Sequence, residues 1–228
     1  MKHILVIIKK QIKDTLKNKT VLIQFILFPL LTLIMENAVT LKDMPPYFFT
    51  KLFAVMYIGM APFSATAAVL AEEKEKNTLR VLMMADVKPW EYLTGVAVYV
   101  WTICMLGAAL MSLGLQETQR LPFLLIMGSG FLISVIAGAC IGIFAKNQMM
   151  ATSLIMPFMM IFSFAPMLSM FNETIRKFAA FVYTQQLKLL IDDMGFDGIS
   201  KTGGVVLLAS AAACVGIFLL AYRKKGLE

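Results

Sequence analysis

Six stretches of mostly apolar residues, each close to the length that crosses a bilayer, constrain this chain more than any other feature. About 20 apolar residues are needed for a helix to cross the hydrocarbon core, and a spanning segment must satisfy its backbone hydrogen bonds internally. The stretches are Thr20 to Asn37, Phe49 to Leu70, Tyr92 to Leu115, Leu121 to Ala145, Met149 to Met170 and Gly203 to Tyr222. The sequence therefore predicts an all-α integral membrane protein with six transmembrane helices.

Composition supports the same class. Of the 228 residues, 59% are hydrophobic and 15% are charged, whereas a soluble domain carries about 25% charged residues. Too few residues remain outside the apolar stretches for a separate soluble core, so we expect one transmembrane domain over residues 1–228. Cys104, Cys140 and Cys214 lie within apolar stretches, without paired spacing. This pattern predicts that they are small buried hydrophobic side chains, and no metal site is expected.

Basic residues indicate the orientation, because cytoplasmic loops of membrane proteins are enriched in Lys and Arg. If the N-terminus is cytoplasmic, seven of the 21 basic residues fall on the outer side: Lys42, Lys51, Arg120, Arg176, Lys177, Lys188 and Lys201. We therefore predict a multi-pass protein of the plasma membrane with both termini cytoplasmic. The net charge of +7 then reflects topology and attraction to the anionic lipid bilayer, and nucleic-acid binding is not expected.

The first 19 residues predict an amphipathic helix that lies along the inner membrane surface. Isoleucine and leucine recur every four residues, and lysines lie off that line. The two sets are Ile4, Ile8, Ile12 and Leu16 on one side, and Lys9, Lys10, Lys13 and Lys17 on the other. The alternative is a frayed basic anchor without a fixed position.

A charged segment, residues 71–91, separates the second and third spans. Glu72 and Lys76 have the spacing and order of a helical ion pair, so the second span is predicted to continue as a helix beyond the membrane. Asn77 tolerates a left-handed backbone, and either Asn77 or Thr78 is expected to cap a second helix that begins there. That helix is predicted near Thr78 to Val87, and Pro89 limits it. We expect a short cytoplasmic helix joined to the charged extension by a tight turn.

The motif in this segment resembles the signature of type-2 ABC exporter permeases, usually written Glu-Arg/Lys-Glu-x-Gly-Thr-Leu. The matching run is Glu73-Lys74-Glu75-x-Asn77-Thr78-Leu79-x-x-Leu82, followed by Pro89 and a Trp-Glu-Tyr-Leu-x-Gly entry into the third span. The six-span topology with an N-terminal interfacial helix is similar over the whole chain. Two positions depart from the family pattern: Asn77 stands where Gly is usual, and Arg80 stands where an acidic residue is frequent.

The resemblance implies a permease that depends on a separate ATPase. The sequence has no Gly-x-x-x-x-Gly-Lys-Ser/Thr phosphate loop, so the chain is expected to be a transporter subunit and not an enzyme, with ATP and Mg bound by the partner. Two permeases, identical or paralogous, and two ATPases are implied. The implied ATPase-coupling residues are Glu73, Lys74, Glu75, Asn77, Thr78, Leu79, Arg80, Leu82 and Met83. In this hypothesis Leu79, Leu82 and Met83 dock on the ATPase, while Glu73, Glu75 and Arg80 fix the register.

Two sets of residues stand out within the spans. Gly130, Ser134, Gly138 and Gly142 recur every four residues in the fourth span, and such a strip lets another helix approach closely. We interpret it as helix packing, and the alternative is that it borders a pathway. By the resemblance, the second and fifth spans border the translocation route, which makes Phe63, Met156, Met160 and Phe164 candidate lining residues. The alternative is that these four face lipid or core.

Ionisable residues are scarce within the spans. Glu36 and Lys51 lie near the outer span ends, and Gln24 is the main polar side chain in a span's body. Proton-coupled transport and intramembrane hydrolysis need ionisable or catalytic groups at depth, so both are disfavoured. No catalytic residues are assigned.

The segment from Phe171 to Lys201 resembles the external helical region that the family carries before its last span. Ile175, Phe178, Val182 and Leu189 are expected to form its apolar face. Asn172-Glu173-Thr174 is either a chance glycosylation acceptor or the start of a helix.

The function expected from these features is ATP-driven export of an amphipathic or hydrophobic substrate, such as an antimicrobial peptide or a drug. Two alternatives remain open. One is export of a lipid-linked glycan, and the other is a non-transporting membrane scaffold or immunity protein.

Overall fold

The computed structural model describes residues 2–39, 45–195 and 201–225, and within these ranges the regular structure is helical. The long helices are α1 (Lys2–Lys17), α2 (Lys19–Ala38), α3 (Phe48–Glu75), α5 (Pro89–Met111), α6 (Glu117–Phe144), α7 (Gln148–Met159) and α11 (Lys201–Lys225). The short helices are α4 (Thr78–Met84), α8 (Ala165–Leu168), α9 (Glu173–Ala179) and α10 (Tyr183–Asp193).

Six segments of the described chain are long and apolar enough to span a membrane, which confirms the predicted all-α fold with six spans. They are Val21–Ala38, Phe48–Glu75, Pro89–Gly114, Glu117–Phe144, Gln148–Leu168 and Lys201–Lys224. The second is longer than the predicted stretch, because α3 continues five residues beyond Leu70 to Glu75. The helical extension predicted from the charged segment is therefore confirmed.

The centre of the bundle is the contact between α3 and α6. At Gly142 a Cβ atom would lie 2.7 Å from the Cβ of Leu70, and at Gly130 it would lie 2.8 Å from the Cγ2 of Ile58. A Cβ on Gly138 would overlap the backbone carbonyl of Phe63. The small residues of the fourth span thus face α3, and their missing side chains allow the two backbones to approach.

Ser134, the fourth member of that strip, links three elements. Its hydroxyl donates to the carbonyl of Ile58 at 2.7 Å and pairs with the hydroxyl of Tyr183 at 2.8 Å. Tyr183 is the first residue of α10, and burial raises the pKa of its phenol, so the phenol stays protonated at physiological pH. The bond therefore anchors α10 on the α3–α6 contact.

The apolar face predicted for the segment before the last span is wrong. Phe178 and Leu189 are exposed, and the buried side of α10 carries Tyr183, Leu187 and Ile191. These three recur at four-residue spacing within one helix, whereas the predicted face ran across the turn that separates α9 from α10. Asn172 caps α9: its side-chain oxygen accepts from the backbone amides of Thr174 and Ile175 at 2.8 and 3.2 Å, so this triplet starts a helix.

The fifth span is irregular. Pro157 lies inside α7, and the helix continues through a π-helical turn, Met160–Phe164, into α8. Within that turn the hydroxyl of Ser163 donates to the carbonyl of Met56 at 3.4 Å. Proline and the wider π turn both interrupt the regular ladder, so the second and fifth spans meet at a bent segment.

Helix α1 packs against α5 through a line that mixes apolar and polar residues. Ile7, Gln11 and Thr15 are buried, and Ile7 fills the space left by Gly95. Thr15 and Tyr99 share a hydrogen bond between their hydroxyls. Leu5 and Leu16 remain exposed, which leaves an apolar side of α1 for the surrounding lipid.

Candidate functional site

The candidate site lies at one end of the bundle, named here the basic end, where α1, α4 and the carboxyl end of α11 lie. Here α3 ends at Glu75 and the chain turns sharply at Asn77 into α4. Asn77 has a φ of 54°, in the left-handed region. Asn occupies this region more readily than most residues other than glycine, so the turn between α3 and α4 is encoded locally.

Glu73 ties this turn to the N-terminal helix. Its side chain is buried, forms an ion pair with Lys10 and accepts a hydrogen bond from the Nε2 of Gln11 at 2.9 Å. Buried carboxylates are retained where charge and donors compensate their desolvation. Glu73 therefore holds α1 against the end of α3.

Lys74 and Glu75 contact the two helices that meet on the other side of α3. The Nζ of Lys74 donates to the carbonyl of Ile143, in the last turn of α6, at 2.8 Å. The Oε2 of Glu75 accepts from the backbone amide of Gln148, the first residue of α7, at 2.8 Å. A cation at a helix carboxyl end and an anion at an amino end both complement the helix dipole.

Glu73, Lys74 and Glu75, named here the EKE segment, thus connect α3 to α1, α6 and α7. From the sequence we expected Glu73 and Glu75 to contact the ATPase and to fix its register. In the structure both carboxylates bind groups of this chain: Glu73 binds Lys10 and Gln11, and Glu75 binds the amide of Gln148. Arg80 is the charged coupling residue that lies exposed on α4. Thr78 also faces the chain, since its hydroxyl donates to the carbonyl of Glu73 at 3.1 Å.

The side of α4 left open differs from the one that the sequence favoured. Leu79 is 3% exposed, and Leu82 and Met83 pack partly against the core. Val81 is 57% exposed and Met84 73% exposed. The sequence interpretation placed Met84 on the side of Arg80, away from Leu79, Leu82 and Met83, but it named neither Val81 nor Met84 as a coupling residue. Their spacing of three residues, opposite the buried Leu79, is the signal that identifies them.

The candidate lining residues do not lie together. Phe63 is buried against Phe162, with ring centroids 5.5 Å apart. Met156 and Met160 are exposed on another side of the fifth span, and Phe164 is half-buried. The structure therefore separates Phe63 from the two methionines.

The polar residues noted within the spans have partners in this chain. Glu36 accepts from the backbone amide of Thr50 at 2.8 Å, and Lys51 donates to the carbonyl of Asp192 at 2.9 Å. Gln24 accepts from Ser64 at 3.3 Å. In the part of the chain that the structure describes, no group of three or more His, Cys, Asp or Glu residues is placed to hold a metal ion.

Residues 2–223 match the family described as "ABC-2 family transporter protein". The match covers nearly the whole chain, including α1, the EKE segment and all six spans. The chain belongs to this family. It is an ABC-2 permease, a membrane transport component that is not itself catalytic. No curated protein sequence gives a significant match.

Replacing Glu73 with alanine is expected to destabilise the permease by about 2–4 kcal/mol, because Gln11 loses its acceptor and Lys10 keeps only the longer ion pair with Asp14, at 3.6 Å. Glu72 is the matched control, since it pairs with Lys76 at the surface and an exposed pair contributes about 0–1 kcal/mol. Thermal unfolding in detergent measures the difference. Equal melting temperatures for Glu73→Ala and Glu72→Ala would contradict the assigned tie to α1.

Asn77→Gly is expected to leave stability roughly unchanged, because glycine adopts positive φ freely. Asn77→Val is expected to cost about 1–2 kcal/mol, since a β-branched residue is strained there. Thermal unfolding and the rate of proteolysis between α3 and α4 report the effect. A valine variant as stable as the glycine variant would show that the turn does not depend on the left-handed conformation.

Proposed function

We propose that this permease works with a separate ABC ATPase and moves an amphipathic or hydrophobic substrate out of the cell. The observation that carries the proposal is the exposed face of α4, where Val81 and Met84 stand uncovered beside Arg80. Neighbouring apolar side chains exposed on a short helix at the polar end of a membrane protein favour a protein-binding surface. In a complex, Val81 and Met84 would become buried apolar anchors beside the charge of Arg80, and this is the composition typical of such interfaces.

The EKE segment supplies the mechanical link. Glu73 holds α1, Lys74 holds the end of α6, and Glu75 holds the start of α7. A displacement of α4 by the ATPase therefore acts on these helices through short charged contacts and does not dissipate in a flexible loop. In this proposal Glu73, Lys74, Glu75, Asn77 and Thr78 position α4, and the exposed face of α4 contacts the partner.

The basic end is proposed to be cytoplasmic, in the plasma membrane. It carries the lysines of α1 and of the EKE turn, together with Arg223 and Lys224 at the end of α11. Such enrichment is typical of cytoplasmic loops. This orientation places α4 in the compartment that holds ATP, and ATP and Mg then bind on the two ATPase copies.

The second permease and the substrate are proposed to meet the fifth span on its methionine face, defined by Met149, Met156 and Met160. All three side chains are exposed, and they fall within about 40° of one another on a helix. Methionine adapts to varied apolar partners, which fits an amphipathic or hydrophobic substrate. Whether the partner permease is a second copy or a paralogue, this face is the proposed contact.

Reconstitution tests the function directly. The permease is co-expressed with a candidate ATPase, purified and placed in liposomes, and ATP hydrolysis and transport are measured with an amphipathic peptide. We expect a stable complex, peptide-stimulated hydrolysis and vectorial transport. Stimulation by a lipid-linked glycan alone would overturn the substrate class, and failure of every ABC ATPase tested to form a complex would overturn the proposed mechanism.

A further inference from the structure

A cleft of about 500 Å³ opens between α6, α7 and α11. Its side chains are apolar throughout and include Ile141, Phe144, Met150, Leu154, Cys214 and Ile217. The cleft lies in the half of the spans nearer the basic end, since Phe144 ends α6 there and Met150 lies near the start of α7.

The inner wall of the cleft is a packed aromatic cluster. Phe63 is 1% exposed, and its ring centroid lies 6.5 Å from that of Phe158 and 5.5 Å from that of Phe162. The α6–α11 side is joined where the Sγ of Cys140 contacts the carbonyl of Cys214 at 3.5 Å. The aromatic wall and the α6–α11 wall are therefore each stabilised by contacts within the protein, without a bound molecule.

The cleft opens sideways toward the bilayer. Its rim residues Phe144, Met150, Phe158 and Ile217 are 38–52% exposed. On α7 the cleft-facing Leu154 lies about 200° around the helix from Met156. The cleft and the methionine face are therefore on different sides of the fifth span, and a second permease on the methionine face leaves the cleft open to lipid.

An apolar space of this size does not stay empty beside a bilayer. Protein interiors pack closely, and an unfilled cavity loses contacts on every wall. Water has no polar partners in the cleft and does not compensate for them. Hydrocarbon chains are the apolar molecules present at high concentration at its mouth, so the chemistry of the lining selects an acyl chain.

Two cations stand beyond the mouth on the side of the basic end. Cys140 and Cys214 are in contact and so lie at the same depth along the bundle. From there α6 and α11 both run toward the basic end. Lys146 lies two residues beyond the end of α6, and Lys224 lies on α11 ten residues after Cys214, about 15 Å further along and within about 20° of Ile217 around the helix. Both side chains are exposed. Basic groups between spans at this depth bind anionic head groups.

We propose that this cleft binds one acyl chain of an anionic phospholipid from the leaflet at the basic end, with its head group beside Lys146 and Lys224. The occupant is a resident lipid and not the transported substrate. The inference therefore holds whether or not the proposed export activity does.

Photocrosslinking tests the site. The full chain is placed in nanodiscs that contain phosphatidylglycerol with a diazirine in its acyl chain, and labelled peptides are mapped by mass spectrometry. We expect labelling concentrated on the peptides that carry Ile141, Leu154 and Ile217. Leu154→Trp and, separately, Ile217→Trp fill the cleft and are expected to reduce that labelling several-fold. Leu208→Trp, on an exposed part of α11 away from the cleft, is the matched control and is expected to leave it unchanged.

The head group is tested in the same nanodiscs. Replacing the labelled phosphatidylglycerol with an equally labelled phosphatidylcholine is expected to lower cleft labelling, and the double variant Lys146→Gln with Lys224→Gln is expected to remove that preference. Arg223→Gln, on the opposite side of α11 from Cys214, is the control. Three results would overturn the proposal. The label could spread over all exposed helices in proportion to their exposure, or its amount in the cleft could be the same for both head groups. The cleft could also stay unlabelled because a second copy covers it.

Discussion

Valine in place of Gly138 is expected to reduce the yield of folded permease to a small fraction of that of the wild type. The added Cβ would overlap the backbone carbonyl of Phe63 on α3, and a backbone group cannot move aside as a flexible side chain does. Overpacking of a tight core costs about 1–3 kcal/mol and sometimes more. Because α3 and α6 form the centre of the bundle, we expect about 3 kcal/mol or more here.

Gly216 provides the matched control for this prediction. It also lies within a membrane-spanning helix, α11, but a Cβ placed there meets nothing within 4 Å. Gly216→Val is therefore expected to fold as the wild type does. Size-exclusion profiles after graded heating measure both variants. If Gly138→Val stays monodisperse to the same temperature as Gly216→Val, α3 and α6 do not approach as closely as the structure shows.

Aspartate at Val81 or Met84 is expected to weaken binding of the ATPase by at least about tenfold and to abolish ATP hydrolysis that depends on the permease. Both side chains are exposed, so the isolated permease should tolerate the change. In the proposed complex, a charge would be buried in an apolar contact without a partner, and removal of a central apolar anchor alone often costs 2 kcal/mol or more. Binding is measured with the immobilised permease at fixed salt concentration.

The control for this second prediction is Leu113→Asp. Leu113 is as exposed as Val81 but lies at the opposite end of the third span, in the turn after α5. The Leu113→Asp substitution is expected to leave ATPase binding unchanged. Equal losses for Leu113→Asp and Met84→Asp would indicate general damage to the permease, and full binding by Met84→Asp would exclude the exposed face of α4 as the contact.

The spans were predictable from sequence because hydrocarbon imposes both a minimum length and internal hydrogen bonding on any segment that crosses it. The strip from Gly130 to Gly142 was readable for a related reason, since small residues at four-residue spacing mark one side of a helix. Pro157 is a local signal for the bend of the fifth span, although its π turn depends on packing against α3 that no local pattern records.

The candidate site was harder to read. The sequence located the charged turn and its helix correctly, but the direction that each side chain of α4 takes depends on the left-handed turn at Asn77. That turn directs Leu79 into the core and leaves Val81 and Met84 open. The partners of Glu73 lie more than 60 residues away on α1, and Gln11 does not stand out by apolar periodicity.

The central claim is that the exposed face of α4 contacts an ABC ATPase, and a photoreactive amino acid at position 84 tests it most directly. Irradiation of the complex in membranes, followed by mass spectrometry, is predicted to give a crosslink between position 84 and the ATPase. A probe at position 113 is predicted to give none. A complex that hydrolyses ATP but crosslinks to the ATPase from position 113 and not from position 84 would contradict the account.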